Sequence, residues 1–240
     1  MFNNRNYRAQ AQRKGLVPFT ITVKETNLHI QADKELSREA IKSVLTCRAY
    51  IENHIQVYPS FLTSMVPLPP VPHVPEIIRD MIDAGIKARV GPMAAIAGAI
   101  AQYAGKELMA VSNQVIVENG GDVFLKTSSD TTLAIFAGKS PLSMKVGVKI
   151  ANRETPFALC TSSGTIGHST SFGKADAVTI LADSCTLADA VATALANRVK
   201  AESDIQAVID YGKKIGGVQG IIVIKKKKLG AWGDMELVGL

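Results

Sequence analysis

Hydrophobic and polar residues alternate near the start of the chain and then change to a helical spacing. Residues 19–23 and 28–32 alternate on either side of Glu25-Thr26-Asn27, which predicts a β-hairpin. After Ser37, a favourable N-cap residue, apolar positions recur at helical spacing until Pro59. The pattern therefore predicts a hairpin followed by one long helix.

Prolines and glycines divide the next part of the chain. Five prolines between residues 67 and 75 exclude an interior strand there. A helix is predicted from Pro75 to Ala84, ending at Gly85. A second helix, made almost wholly of small residues, is predicted to start at Gly91-Pro92 and to continue to Ala101.

The second half of the chain is dominated by strand patterns. Runs typical of strands cover residues 114–117, 122–126, 131–137, 144–150, 158–161 and 177–182. An alanine-rich helix is predicted over residues 187–200, and residues 221–224 and 235–238 predict a closing hairpin around Gly230 and Gly233. Because strands come in runs interrupted by separate helices, the fold class predicted is α+β.

Length and composition predict one globular domain. The chain has 240 residues, of which 47% are hydrophobic, enough for a sizeable core. A faint similarity in the order of elements suggests two similar halves, about residues 17–110 and 111–225. No stretch repeats letter for letter, so the duplication is an expectation about architecture only.

The chain is basic, with a formal charge of +6 and a pI of about 9.2. A basic balance favours an anionic partner, such as a phosphorylated small molecule. The lysine run 225–228 is equally explained as protection of a strand edge. Aromatic residues make up only 5%, and no nucleic-acid-binding motif accompanies the charge, so a nucleic-acid partner is not expected.

Cysteine usage and hydropathy favour a cytoplasmic location. Cys47, Cys160 and Cys185 are widely separated, with no CxxC pair that would indicate a disulfide framework or a zinc site. The first residues lack the apolar run of a secretory signal. The longest small-apolar run, residues 92–101, is much shorter than the roughly 20 residues that span a bilayer. No membrane association is expected.

Two glycine-containing segments are candidates for binding a phosphorylated ligand. At Gly91-Pro92, the free N–H groups of a helix start can hold a phosphate, although proline there is also ordinary capping. At Asn119-Gly120-Gly121-Asp122, the glycines allow close backbone approach and Asp122 can accept a hydrogen bond from a ribose. Asn-Gly is also a strong hairpin-turn signal, so both interpretations stay open.

A hydroxyl-rich stretch follows at residues 160–169. Ser162, Ser163, Gly164 and Thr165 lie in a segment suited to a backbone anion nest. His168, next to Ser169, is a candidate catalytic residue, although no third group to orient it is identifiable. A solvated loop explains the same composition.

Asp189 and Thr193 are the candidate metal ligands. They are four residues apart, so on a helix they share one face. A carboxylate and a hydroxyl completed by carbonyls, waters and ligand phosphates form an all-oxygen set that suits Mg²⁺. Alternatively, Asp189 stabilises a helix N-terminus and Thr193 only packs.

Taken together, these segments resemble the ApbE family of flavin transferases, and its short cytosolic branch in particular. Residues 93–97 look like the family's Leu-Gly-Gly-Ile-Ala-Lys-Gly segment, and residues 119–122 are similar to its Asn-x-Gly-Gly-Asp turn. Residues 161–164 resemble its Thr-Ser-Gly stretch. Residues 187–195 look like its Ala-Asp-Ala-Leu-Ala-Thr-Ala-Leu helix, which is the most specific match. The resemblance covers roughly residues 85–200.

The resemblance implies a fold, a ligand and a reaction. The fold would be of the tunnelling type, with antiparallel sheets covered by helices. The protein would bind FAD and Mg²⁺ and move FMN to a Ser or Thr of an acceptor protein. Asp189 and Thr193 would hold the metal together with a backbone carbonyl near Ala95, and Asp189 would be catalytic. The 119–122 turn and residues 162–165 would lie along the flavin nucleotide.

The sequence also departs from the family pattern. Gly98 stands where the family has a lysine, and only residues 167–174 occupy the place of its His-x-Ile-Asp-Pro-x-Thr-Gly hairpin. Losing a cation and an enclosing hairpin reduces charge stabilisation and water exclusion. The alternative is therefore a non-catalytic protein that binds a flavin, another nucleotide or an anionic metabolite on the same scaffold. Small-residue surfaces and an edge hairpin are also compatible with a homodimer.

Overall fold

The computed structural model describes residues 13–164 and 173–240, which form antiparallel sheets and surrounding helices. Its strands are β1 (Val17–Val23), β2 (Thr26–Ala32), β3 (Val115–Asn119), β4 (Asp122–Lys126), β5 (Thr131–Ala134), β6 (Val146–Ile150), β7 (Phe157–Ser162), β8 (Ala177–Ala182), β9 (Val218–Lys225), β10 (Lys228–Gly233) and β11 (Glu236–Gly239). Its helices are α1 (Ser37–Val57), α2 (Ser60–Thr63), α3 (Glu76–Ala88), α4 (Ile96–Leu108), α5 (Cys185–Ala196) and α6 (Ile205–Gly212).

The strands form two sheets of unequal size. The larger has eight strands in the order β1-β2-β3-β4-β7-β8-β9-β10, and the smaller has three in the order β11-β6-β5. Every neighbouring pair in both sheets is antiparallel. This arrangement confirms the predicted α+β class and the predicted first hairpin, whose strands pair from Val17 with Ala32 to Val23 with Thr26.

The large sheet is covered on both faces, because its strands alternate two sets of buried apolar residues. Val117, Phe124 and Ala158 belong to the core that the sheet shares with the helices. Ile116 and Leu125, their chain neighbours, belong to a second core shared with the small sheet. The strands that carry candidate site residues are therefore fixed from both sides.

Two predicted helix ends are corrected by the structure. Helix α3 passes through Gly85 and ends at Ala88. Its C-cap residue, Arg89, has a left-handed φ of 60° and donates its N–H to the Gly85 and Ile86 carbonyls. The buried face continues to Ala88, so packing carries the helix past the glycine. The small-residue segment is not one helix from residue 91, since Pro92–Ala95 is a 3-10 turn and α4 starts at Ile96.

The predicted closing hairpin is wrong. Strand β9 pairs with β10 in the large sheet, whereas β11 crosses to the small sheet and pairs with β6. Helix α6 is an element that the sequence interpretation missed, although Ile205, Val208, Ile209 and Gly212 are buried at helical spacing. Across the described ranges, no helix combines the length and the apolar character needed to cross a bilayer.

Candidate functional site

Helices α4 and α5 approach each other closely at Gly98. A Cβ atom at this position would lie 2.3 Å from the carbonyl oxygen of Cys185 and 2.7 Å from the Cβ of Asp189. Both distances are far below van der Waals contact, so only glycine fits. The close approach brings Asp189 of α5 against the first turn of α4.

The Asp189 carboxylate caps the N-terminus of α4 from the neighbouring helix. Its Oδ2 accepts a hydrogen bond of 2.8 Å from the Gly98 N–H. Helix α4 has Ala95 at its own N-cap position and no capping side chain there. The free N–H groups and positive end of α4 therefore stabilise a negative charge on Asp189. Asp189 therefore stabilises the N-terminus of α4 and not that of its own helix, which starts at Cys185 and has no acidic residue in its first turn.

A second buried carboxylate, Asp122, lies near Asp189. Asp122 pairs with Cys160 across β4 and β7, and its side chain is 7% exposed. Burial, followed by the nearby charge of Asp189, raises the pKa of Asp122 well above its ordinary value, while hydrogen bonding with Cys160 opposes this. Burial raises the pKa of Asp189 to about 7, against the backbone hydrogen bonds from Gly98 and Ala97. Burial thus disfavours ionisation of both carboxyl groups, and the charge of Asp189 further disfavours ionisation of Asp122.

Within residues 13–164 and 173–240, no cation of the protein compensates these two carboxylates. Neither Asp122 nor Asp189 forms a salt bridge with any residue in those ranges. The same residues contain no cluster of three or more His, Cys, Asp or Glu side chains that could hold a metal alone. The donor set fits Mg²⁺, which takes one or two carboxylates and fills its remaining positions with waters and substrate phosphates. It does not fit a metal that needs a complete protein cage.

The Asn119-Gly120-Gly121-Asp122 turn lies over the start of α4. Gly120 and Gly121 have φ values of 69° and 121°, and Asn119 pairs with Asp122, as the hairpin-turn interpretation predicts. The Asn119 Nδ2 donates to the Ala97 carbonyl at 3.0 Å. The turn therefore joins the carboxylate pair to the first turn of α4.

Residues 162–164 lie near the C-terminal end of α5. The Gly164 N–H donates to the Ala175 carbonyl at 3.0 Å. Gly173 packs on the Ala196 backbone, close to the last turn of α5. Ser162 and Ser163 are half-buried. Thr165 and His168 lie outside the described residues.

Three further predicted site residues lie around the 3-10 turn and α5. Gly91 is buried against the Ser64 backbone, so chain packing already requires a glycine there. Ala95 is fully buried at the end of the turn. Thr193 is half-buried, one helical turn after Asp189. Ligand binding by all three stays a prediction.

The structure adds residues that sequence reasoning missed. Cys160 and Cys185 are both fully buried, and their sulfur atoms are 3.4 Å apart. Gln102 Oε1 accepts hydrogen bonds from the Cys185 and Thr186 N–H groups at 2.7 and 3.4 Å, and so caps α5. The strand alternation that puts Cys160 on the same face as Ala158 was the available signal for the cysteine pair.

A shallow cavity of about 430 Å³ lies at the N-terminal end of α5, away from Thr193. Its lining includes Gln102, Phe124, Ser184 and Leu187, with side chains of both charges at its rim. None of the predicted site residues lines it. The candidate site is therefore defined by the carboxylate pair and its adjoining turns, not by this cavity.

Comparison with protein families identifies relatives over nearly the whole chain. The model of the family described as AbpE bacteria matches residues 8–229. The UPF0280 protein MJ1526 of Methanocaldococcus jannaschii is 40% identical over 225 residues, covering 91% of both chains. A UPF0280 protein of Methanococcus aeolicus is 38% identical, covering 90% of this chain and 89% of its own.

Solved structures share the fold at low sequence identity. A mutant of the flavin transferase ApbE from Vibrio cholerae superposes with a TM-score of 0.57 and 14% identity, covering 91% of this chain and 97% of its own. The flavinyl transferase ApbE of Pseudomonas stutzeri, in its apo form, gives 0.55 and 13%, covering 91% and 94%. The ApbE protein of Thermotoga maritima gives 0.55 and 12%, covering 90% and 96%. The chain therefore has the fold of the ApbE flavin transferases.

Proposed function

Because the chain belongs to the AbpE bacteria family, we propose that it binds FAD with Mg²⁺ and transfers FMN to a Ser or Thr of an acceptor protein. One observation carries this proposal. Asp122 and Asp189 are both buried, the charge of Asp189 raises the pKa of Asp122, and neither carboxylate forms a salt bridge with any described residue. A divalent cation together with a diphosphate supplies the missing positive charge and oxygen ligands.

In this proposal Asp189 is the principal metal ligand. Thr193 follows on the same helical face, and a carbonyl near Ala95 completes the protein's share of the ligands. Mg²⁺, when bound, would neutralise charge on the pyrophosphate oxygens of FAD and on the AMP leaving group. Asp122 adds negative charge beside Asp189, which strengthens the attraction for a cation in this poorly hydrated site.

The adjoining turns are proposed to hold the flavin nucleotide through backbone groups. The Asn119–Asp122 turn rests on α4 through the Asn119 side chain, so its position relative to Asp189 is fixed. Ser162, Ser163 and Gly164 approach the opposite end of α5, with Thr165 and His168 following in the chain. Gly91 and the N–H groups of the Pro92–Ala95 turn are a further phosphate contact. His168 is the proposed proton carrier for the acceptor hydroxyl.

Gly98 favours a second candidate function, flavin binding without transfer. The resemblance leads one to expect a lysine here, and the contact with Cys185 and Asp189 leaves no space for any side chain. The packing of α4 against α5 therefore excludes a lysine at position 98. The exposed Lys174, next to Gly173 near the C-terminal end of α5, is the candidate replacement.

Release of AMP separates the two functions. The protein is saturated with FAD in the presence of Mg²⁺ and a Ser/Thr-containing acceptor, and AMP and acceptor mass are measured. Transfer predicts AMP together with an acceptor that carries FMN, and EDTA abolishes both. Bound FAD without AMP supports the binding protein instead. If FAD does not bind even with Mg²⁺, both proposals fail.

A further inference from the structure

Two thiols adjoin the carboxylate pair without any role in the proposed reaction. Cys160 lies on β7, directly opposite Asp122 of β4. Cys185 is the first residue of α5, the helix that carries Asp189. Their sulfur atoms are 3.4 Å apart, which is direct contact. The fold therefore places two oxidisable groups against each other beside the candidate cation site.

We propose that Cys160 and Cys185 form a reversible disulfide under oxidation by a peroxide, and that this disulfide weakens cation binding at Asp189. In the first step, one sulfur attacks the peroxide, the O–O bond breaks, and sulfenic acid and water are formed. In the second step, the other sulfur displaces that hydroxyl as water and the S–S bond forms. Two thiols and one hydrogen peroxide thus give one disulfide and two waters.

The burial of both sulfurs determines which oxidant can react. Cys160 and Cys185 are both 0% exposed, so a reagent must pass through packed side chains. Hydrogen peroxide is close to water in size, whereas a glutathione disulfide needs local unfolding to reach the pair. Burial also raises the pKa of both thiols, which makes the reaction slow at neutral pH and faster as pH rises.

The third cysteine provides an internal comparison. Cys47 lies on α1 and is buried, with its pKa raised to about 11 mainly by burial. Its thiol hydrogen-bonds Ser43, and no second cysteine contacts it in the described part of the chain. Peroxide can therefore oxidise Cys47 only to oxygen acids, and its reaction reports general oxidation.

The disulfide would act on the site through Asp122. Cys160 hydrogen-bonds with the Asp122 carboxyl and helps it to carry a negative charge. Oxidation removes the S–H donor and ties β7 to the start of α5. This consequence rests on the proposed function, and loss of one such hydrogen bond predicts a cation affinity that is roughly 2–10-fold weaker.

Peptide mapping of the full-length protein tests disulfide formation. Reduced protein is treated with hydrogen peroxide at pH 8, blocked with an alkylating reagent and digested. The expected product is a peptide pair joined through Cys160 and Cys185, lighter by two hydrogen atoms and restored by dithiothreitol. Cys47→Ala should form the same pair at an unchanged rate, and Cys185→Ala should form none.

Other oxidation products would overturn the inference. The first is an oxygen acid on Cys160 without a crosslink, and the second is a crosslink to Cys47. The third result is that the folded protein is not oxidised under conditions that oxidise protein unfolded in guanidinium. Peptide mapping of the peroxide-treated wild-type protein distinguishes these results even if Cys185→Ala does not fold.

A Mn²⁺ titration of reduced and oxidised protein tests the consequence. No Mn²⁺ binding to the reduced form contradicts both the proposed function and the effect of the disulfide on the site, but not the formation of the disulfide. Equal Mn²⁺ affinities of the reduced and the oxidised protein would contradict the effect of the disulfide on the site, but not the formation of the disulfide.

Discussion

At the scale of single residues, the central feature is the Asp189 carboxylate, whose pKa is affected in opposite directions by hydrogen bonding and by burial. Asp189 caps α4 through the Gly98 N–H, which favours its charged form. Burial favours its neutral form and outweighs the hydrogen bonds, so the pKa of Asp189 rises to about 7. Metal-free protein therefore carries a group that is half-protonated near neutral pH, and a bound cation would shift it fully to the carboxylate.

This balance predicts an unusual pH dependence of stability. Asp189 has an ordinary pKa of 3.8 when unfolded and about 7 when folded, so its favourable contribution is fully present below pH 3.8 and is lost as pH rises to 7. The free energy of unfolding of the metal-free protein should therefore fall between pH 3.8 and pH 7, by on the order of 1.4 kcal/mol for each pH unit. Urea unfolding of wild type and Asp189→Asn across this range measures the difference.

The asparagine variant isolates the contribution of this one residue. Asp189→Asn removes the ionisable group, while the amide oxygen of the new side chain can still accept from the Gly98 N–H. The stability of the variant should therefore fall less than that of wild type as pH rises to 7. Asp234→Asn, at an exposed aspartate, should keep the wild-type slope. Equal slopes in wild type and Asp189→Asn would mean that the buried carboxyl does not titrate in this range.

Gly98 gives a second prediction at this scale. In Gly98→Ala the new methyl meets the Cys185 carbonyl at 2.3 Å, and neither helix can move without disturbing the Asp189 cap. Overpacking should cost about 1–3 kcal/mol, although alanine has the higher helix propensity. Urea unfolding measures this cost. Gly216→Ala, where nothing lies within 4 Å, should change the unfolding free energy by no more than about 0.5 kcal/mol.

Some site residues were predictable from sequence and others were not. The spacing of Asp189 and Thr193 places them on one helical face whatever the fold, and Asn-Gly-Gly predicts its own turn. The proximity of Asp122 to Asp189 depends on how β4 packs beneath α5, which local spacing does not encode. The role of Asp189 as a cap for α4 was missed for the same reason.

At the scale of elements, α5 depends on a cap supplied from another helix. Gln102 Oε1 of α4 receives the Cys185 and Thr186 N–H groups, while Ser184 Oγ accepts from the Leu187 N–H at 3.2 Å. Helices α4 and α5 thus cap each other, through Asp189 in one direction and Gln102 in the other. This reciprocity fixes their relative position without any ion pair between the described residues of the two helices.

Removing the glutamine cap should destabilise the pair of helices. Gln102→Met keeps the side-chain volume but leaves two buried N–H groups without an acceptor, which should cost about 1–3 kcal/mol. Thermal and urea unfolding measure the loss. Gln206→Met, at an exposed glutamine that hydrogen-bonds Asp210 on α6, should stay within about 0.5 kcal/mol of wild type. Similar effects for both variants would show that the cap contributes no more than a surface hydrogen bond.

Sequence patterns predicted element types better than element ends or pairing. Alternation of apolar and polar residues identified β1 and β2. Short apolar runs identified β7 and β8, whose residues belong to two separate cores on the two faces of the sheet. Gly85 predicts a helix end, but the buried apolar face that continues to Ala88 keeps α3 helical. The partner of β11 lies in a different sheet, a tertiary choice that no turn signal between residues 230 and 235 specifies.

At the scale of the whole molecule, the eight-stranded sheet assembles the site from distant parts of the chain. Asp122 comes from its centre, and Asp189 from a helix that follows β8. The α+β class was predictable because the strand and helix patterns follow the order in which the elements occur. The family was predictable from the resemblance of four short segments, residues 93–97, 119–122, 161–164 and 187–195. The division into similar halves at residues 17–110 and 111–225, and the homodimer, stay predictions.

The most direct measurement of the central claim is FAD binding as a function of Mg²⁺. Flavin fluorescence is followed while FAD is titrated into wild type, Asp189→Asn and Asp234→Asn, each with Mg²⁺ and with EDTA. We expect Mg²⁺-dependent binding of FAD to wild type and Asp234→Asn, and roughly 10–100-fold weaker binding to Asp189→Asn. FAD binding that is unchanged by EDTA and by Asp189→Asn would contradict a cation site at the buried carboxylates.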